Sequence, residues 1–258
     1  MSQDLFDADH ARKFANYLFL TGQYEFAAEE FERVVFLAPD DSSARIKLLD
    51  AYISDGKFET GLNRLTDFYR IDAELPPSFT KQYLKLMFYM EHYSEADTFL
   101  KSYQGFGNTY KHCYTANFQM LDNNWDKAKS NLEIINQKDN SYFRNLESIV
   151  RLKEETKYKS PALAGIYSAI IPGSGKVYTK NWQDGLVAFL FVSVNAWQAY
   201  RGFDKYGTKS AYGWIFGSLA VTFYAGNIFG SVKSAKKYNN KLDEDIFNRS
   251  SAALLNNL

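Results

Sequence analysis

Along residues 8–138 the apolar positions recur with a helical period, and one short signature returns four times. An aromatic residue is followed three places on by a small one: Tyr24 and Ala27, Phe58 and Gly61, Tyr93 and Ala96, Trp125 and Ala128. Four residues after each small one stands a bulky apolar residue (Phe31, Leu65, Leu100, Leu132), and three further on another (Val34, Phe68, Tyr103, Ile135). Such positions share one face of an α-helix, and a small residue there lets a second helix approach closely. The small residues lie 34, 35 and 32 positions apart, a period typical of stacked supersecondary units. Gly22 and Gly56 precede the first two aromatics by two residues, and Pro39 closes the first unit. Leu146, Ile149, Val150 and Leu152 predict one more helix near 141–157. Periodicity alone would also allow a non-repetitive helical bundle.

After Lys159 the pattern changes. Residues 160–175, 185–200 and 210–232 carry no charge. The third run holds 23 residues, enough for a membrane span of about 20 apolar residues. The second holds 16 and spans only with its flanks. Between them Arg201–Lys209, with Gly202 and Gly207, predicts the turn of a helical hairpin. The first run ends at Pro172-Gly-Ser-Gly175, which breaks a helix, and reads as an interfacial or re-entrant segment. Gly213-x-x-x-Gly217 and Gly226-x-x-x-Gly230 have the spacing of close helix contacts in membranes. Tyr212, Trp214, Phe229, Trp182, Trp197 and Tyr200 are placed as an interfacial belt would be. Asn195 and Asn227, inside apolar runs, need polar partners and are expected to find each other across the hairpin. A soluble hydrophobic hairpin packed on the repeats is the alternative.

Residues 8–138 resemble the tetratricopeptide repeat (TPR) family, whose unit is a pair of antiparallel helices. In repeats three and four, Glu91 and Asn123 stand in for the turn glycine. The resemblance implies an all-α fold: a TPR-like solenoid of about four helix pairs plus a capping helix, here followed by an α-helical transmembrane hairpin. It further implies that the first helix of each pair lines a groove for a protein or peptide partner. Carried over by position, the lining is Arg12, Asn16 and Phe19, then Asp50, then Lys81, Lys85, Phe88 and Tyr89, then Tyr110 and Asn117. Donors beside aromatics suit an extended peptide with an acidic group. The family's five-residue carboxylate clamp is not filled in repeats two and three, and a plain solvated polar face is the alternative.

A second resemblance covers roughly 160–240. Pro172, Gly173, Gly175 and Tyr178 form a Pro-Gly-x-Gly-x-x-Tyr turn ahead of Trp182 and Gly185. The turn is similar to that in the membrane domain of some uncharacterised bacterial envelope proteins, which implies location rather than a reaction. The resulting layout is a repeat domain at 1–158, a membrane-associated hairpin at 159–240 and a polar tail at 241–258.

Charge and composition narrow the function classes. Net charge is zero, but residues 161–258 hold 10 Lys+Arg against 5 Asp+Glu, leaving the repeat segment acidic. An acidic segment opposes phosphate binding, so no nucleic acid is expected. Lys233, Lys236, Lys237 and Lys241 follow the last apolar run and suit anionic lipid. One cysteine and three histidines leave little for a metal site or disulfide framework. Gly173-Ser-Gly-Lys176 lacks the spacing of a phosphate loop, with Ile170 and Val177 at the key places. His112 and Cys113, adjacent on a helix, point apart. No cofactor and no catalysis are expected.

The start, Met1–His10, is acidic and lacks an apolar core, so no leader is expected. Lys176, Lys180, Lys233, Lys236 and Lys237 against Arg201, Lys205 and Lys209 would put the repeats on the cytoplasmic side of a bacterial inner membrane. Removal of a signal peptide would make them periplasmic instead. The expected function is a membrane-anchored scaffold. The competing one is a soluble repeat protein forming a homo-oligomer through its C-terminal helices.

Overall fold

The computed structural model describes residues 7–136 and 138–258; the opening of the Met1–His10 stretch lies outside them. Among the described residues there are 13 α-helices and no strands. The chain divides into two compact units. One is Met1–Arg151 together with Phe247–Leu258, and the other is Leu152–Ile246.

The first unit is built from successive antiparallel pairs: α1 (Ala8–Leu20) with α2 (Tyr24–Leu37), α3 (Ser42–Ser54) with α4 (Phe58–Phe68), α5 (Pro77–Tyr89) with α6 (Tyr93–Ser102), and α7 (Asn108–Leu121) with α8 (Trp125–Glu133). A ninth helix, α9 (Ser141–Glu155), begins in this unit. Every second helix starts on the signature aromatic. The turn before it is the same each time. Gly22, Gly56, Glu91 and Asn123 all sit in the left-handed region, at φ 78°, 75°, 59° and 60°. In each, the left-handed residue's N–H donates three residues back and the next N–H five back, as in Gly22 to Phe19 and Gln23 to Leu18. These bonds satisfy carbonyls that a helix end leaves open.

Helix starts are capped locally. Asp7 accepts from the Asp9 N–H, and Asp41 accepts from the N–H groups of Ser43 and Ala44. Pro77 opens α5 where its missing donor costs nothing. The signature positions form the core: Ala27, Ala96 and Ala128 are fully buried, as are Phe31, Leu65, Leu100, Val34 and Tyr103. Truncating one of the large ones to Ala would cost roughly 2–5 kcal/mol.

In the second unit α10 (Pro161–Ile170) is capped by the Ser160 hydroxyl and ends before Pro172. There follow the short α11 (Ser174–Tyr178), α12 (Trp182–Tyr206), a 3-10 turn at Gly207–Lys209, and α13 (Ala211–Leu255). Helix α12 overruns the uncharged stretch because Arg201, Asp204 and Lys205 are tolerated on an exposed helical turn; it stops at Gly207, φ 63°. Helix α13 does not stop at the charged residues after Val232. It runs on through the stretch read as a polar tail, and its last turns belong with the first unit. Among the described residues α13 is the one helix long and apolar enough to cross a membrane.

Burial in this unit is inverted relative to the first. Between residues 152 and 246 no Leu, Phe, Tyr or Trp is buried. Apart from Val192 and Ile246, the buried positions are small or polar, among them Ala164, Ser168, Thr179, Asn195, Ser210, Asn227, Ser231 and Ala235. Large apolar side chains face outward instead, among them Ile170, Val187, Phe191, Trp197, Val221 and Phe229.

Candidate functional site

Most of the donors read from the sequence are consumed inside the repeats. Arg12 pairs with Asp41, the residue that caps α3. The Asn16 amide donates to the Arg12 carbonyl one turn back, at 2.9 Å. Asp50 accepts from Gln82 at 3.0 Å and from Lys85 at 3.5 Å, tying α3 to α5. Phe19 packs on the core of the first repeat, edge to face with Tyr24, and carries the Lys47 ammonium over its ring.

The aromatics separate into two groups. Tyr89 stacks on Phe58 with centroids 5.1 Å apart and meets Phe88, which reaches Tyr93. Tyr89 stays 40% exposed. Tyr110, 45% exposed, leads instead to Tyr114, and Tyr114 contacts Phe106 and Tyr142. Asn117 is fully buried and donates to the Tyr142 hydroxyl at 3.0 Å, so it is a core residue and lines no surface.

One donor points elsewhere. Lys81 Nζ donates to the Asn257 carbonyl at 3.1 Å, and the Tyr114 hydroxyl donates to the same oxygen at 2.6 Å. The end of α13 thus lies on the face of α5 and α7 where the sequence predicts a partner. Within the unit it shares with the repeats, this segment buries Ser250, Ala253 and Leu254. Burial raises the Tyr114 pKa further above its ordinary value, with a smaller contribution from Tyr110, so the hydroxyl remains a donor. Sequence reasoning missed Tyr114. The signal was available, since it lies one turn from Tyr110 and three residues before Asn117 on the same helix.

The glycine motif of the second unit forms a tight junction. Gly173 is left-handed at φ 87°, and a Cβ there would lie 2.0 Å from the Gly185 carbonyl oxygen. A Cβ on Gly175 would lie 1.9 Å from the Ala164 oxygen. Asn227 holds this junction: its Oδ1 accepts from Gly173 N at 3.1 Å and its Nδ2 donates to Ser168 O at 3.4 Å. Ser168 Oγ accepts from Gly175 N and meets Ser231 Oγ at 2.6 Å. Asn195 instead bonds the Phe191 carbonyl of its own helix at 2.6 Å. The two asparagines do not meet, because Asn227 is taken by the Pro172 turn.

Tyr178 accepts from Ser160 N and lies under the Lys159 ammonium. The Asn239 amide bonds both the N–H and the carbonyl of Lys159. Gly213 packs against Phe203 and Gly202 at the α12–α13 turn, Gly217 is in ordinary contact with Ala199, and Gly230 lies beside the Lys176 stem. Gly226 faces open space.

The described residues hold no group of three or more His, Cys, Asp or Glu side chains placed for a metal. Burial pushes the Cys113 thiol up to about 12, which suppresses the nucleophilic thiolate. No family model, curated protein or solved structure matches the chain.

Proposed function

We propose that the chain is a non-enzymatic, TPR-like scaffold anchored in a bacterial inner membrane by the helices of its second unit, with the repeats on the cytoplasmic side. The observation that carries this reading is the inverted burial between residues 152 and 246. A water-exposed unit would hide its Phe, Leu and Trp side chains. In hydrocarbon those side chains are well solvated, and the polar groups and close backbone approaches turn inward. The Ser168–Ser231 contact and the Asn227 bonds to the Pro172 turn are what such an interior needs. Lys233, Lys236 and Lys237 on α13 support contact with anionic headgroups.

The repeat unit supplies the partner surface, for a protein or peptide partner and not for nucleic acid. The register of four equal turns and buried signature positions supports a TPR-like stack, in which neighbouring pairs bury what one pair cannot. A second copy of the chain would cover the same outward apolar side chains, and that is the alternative. Membrane fractionation of the full chain separates the two. The anchored form stays in the pellet after high-salt and alkaline washes and needs detergent for release. A discrete oligomer eluting without detergent would overturn the anchor.

A further inference from the structure

We propose that the Lys81–Tyr114 surface is a receptor for the C-terminal turn of an α-helix, and that Phe247–Leu258 is its built-in occupant, which a partner helix must displace. The inference deepens the partner surface proposed above and rests on that reading.

A helix end leaves its last carbonyls without intrahelical donors, and the macrodipole puts partial negative charge there. Lys81 from α5 and Tyr114 from α7 aim two donors, one of them cationic, at one such carbonyl. Two carbonyls of the preceding turn are closed from within. Asn257 N and Leu258 N both donate to Leu254 O, and the Asn257 side chain donates to Ala253 O. The surface therefore receives a helical turn, not an extended strand. This differs from the extended acidic peptide that the repeat resemblance implies. Arg12 and Lys85, the cations suited to an acidic peptide, already have Asp41 and Asp50.

Two features make the occupant exchangeable. Its buried side chains are Ser250, Ala253 and Leu254, a narrow stripe with a single large apolar residue, whereas α5 alone buries Phe79, Tyr83, Leu84, Leu86 and Met87. Phe247, in the same segment, remains 41% exposed. A partner presenting the same helix-ending turn behind a wider apolar stripe would fit the two donors and gain the additional contact.

The test uses the full chain in detergent micelles. Hydrogen exchange should show residues 250–257 protected in the native chain. Tyr114→Phe, which removes one hydroxyl, should speed their exchange at least tenfold while α7 itself stays protected. A fluorescent peptide of residues 244–258 should bind Leu254→Asp at least tenfold more tightly than the native chain. Adding Lys81→Met and Tyr114→Phe to that variant should erase the gain. Protection of α5 and α7 amides in Leu254→Asp certifies that the repeats remain folded, and the Tyr114→Phe exchange arm stands even if they do not. Tail amides exchanging at the rate of an unfolded chain would overturn the seat. Equal probe binding by native and Leu254→Asp chains would overturn the exchange, leaving the tail as a fixed part of the unit. The fractionation result is independent of both arms, so failure here is distinguishable from failure of the anchored scaffold.

Discussion

Glu91 is the most strained residue for its type in the repeats, a charged side chain at φ 59° where two of the other three turns have glycine. The left-handed conformation costs a residue with a Cβ about 1 kcal/mol or more. Glu91→Gly should therefore raise unfolding free energy by about 0.5–1 kcal/mol once the greater freedom of the unfolded chain is deducted. Gly22→Ala, where the added Cβ would meet no atom, should lower it by a similar amount through backbone strain alone. Paired thermal melts check both. Cys113 gives a pH test. Its folded pKa of about 12 exceeds its ordinary 9.0 because burial disfavours the thiolate. Between pH 9 and 12 the native state keeps a proton that the unfolded chain releases, so stability falls as pH rises through that window. Cys113→Ala should flatten that fall in alkaline denaturation, and native Cys113 should resist thiol reagents at pH 8. The turn positions were legible because they recur at a fixed offset from an aromatic. The Asn257 seat was not, since a carbonyl of the backbone leaves no mark in the sequence.

Among elements, the Pro172 junction shows which glycines matter. Gly175→Ala drives a Cβ against the Ala164 oxygen and should destabilise the second unit by several kcal/mol or prevent its assembly. Gly226→Ala meets nothing and should be neutral or slightly stabilising, as Ala exceeds Gly in helices. Unfolding titrations in mixed micelles would rank the two. From sequence Gly175 belonged to the Pro-Gly-x-Gly-x-x-Tyr turn and Gly226 to a Gly-x-x-x-Gly spacing, and the packing partner is what separates their importance. The length of α13 was concealed for a related reason. The lysines that follow Val232 mark a change of surroundings for the side chains, but Lys, Leu, Asp and Glu do not interrupt a helical backbone.

At the level of the molecule, large apolar side chains and small or polar ones are sorted in opposite senses in the two units. The composition break near residue 160 carried that contrast, whereas the polar contacts that replace a hydrophobic core could not be paired from sequence. Ser168 and Ser231 are separated by 63 positions and have no distinguishing pattern around them. The proposed anchor makes Phe229→Glu informative, since Phe229 is 76% exposed. On a water-facing surface the change should improve solubility. In a membrane-facing position it should cost about 2–3 kcal/mol of insertion and shift the chain out of the washed membrane fraction. Quantifying the chain in pellet and supernatant decides between them.

The two hydrogen bonds to Asn257 bridge 176 and 143 positions of sequence, whereas the helix pairs they rest on close within a few tens of residues. Local pairings form quickly and long closures late. On the ribosome this difference becomes an interval in time. The α5 and α7 surface is made and folded while the segment that will cover it has yet to be translated, and roughly 130 residues take on the order of ten seconds to add. During that interval Lys81 and Tyr114 are open to any helix end that reaches them. If this surface receives a partner helix as proposed, a nascent partner emerging nearby would meet it uncovered.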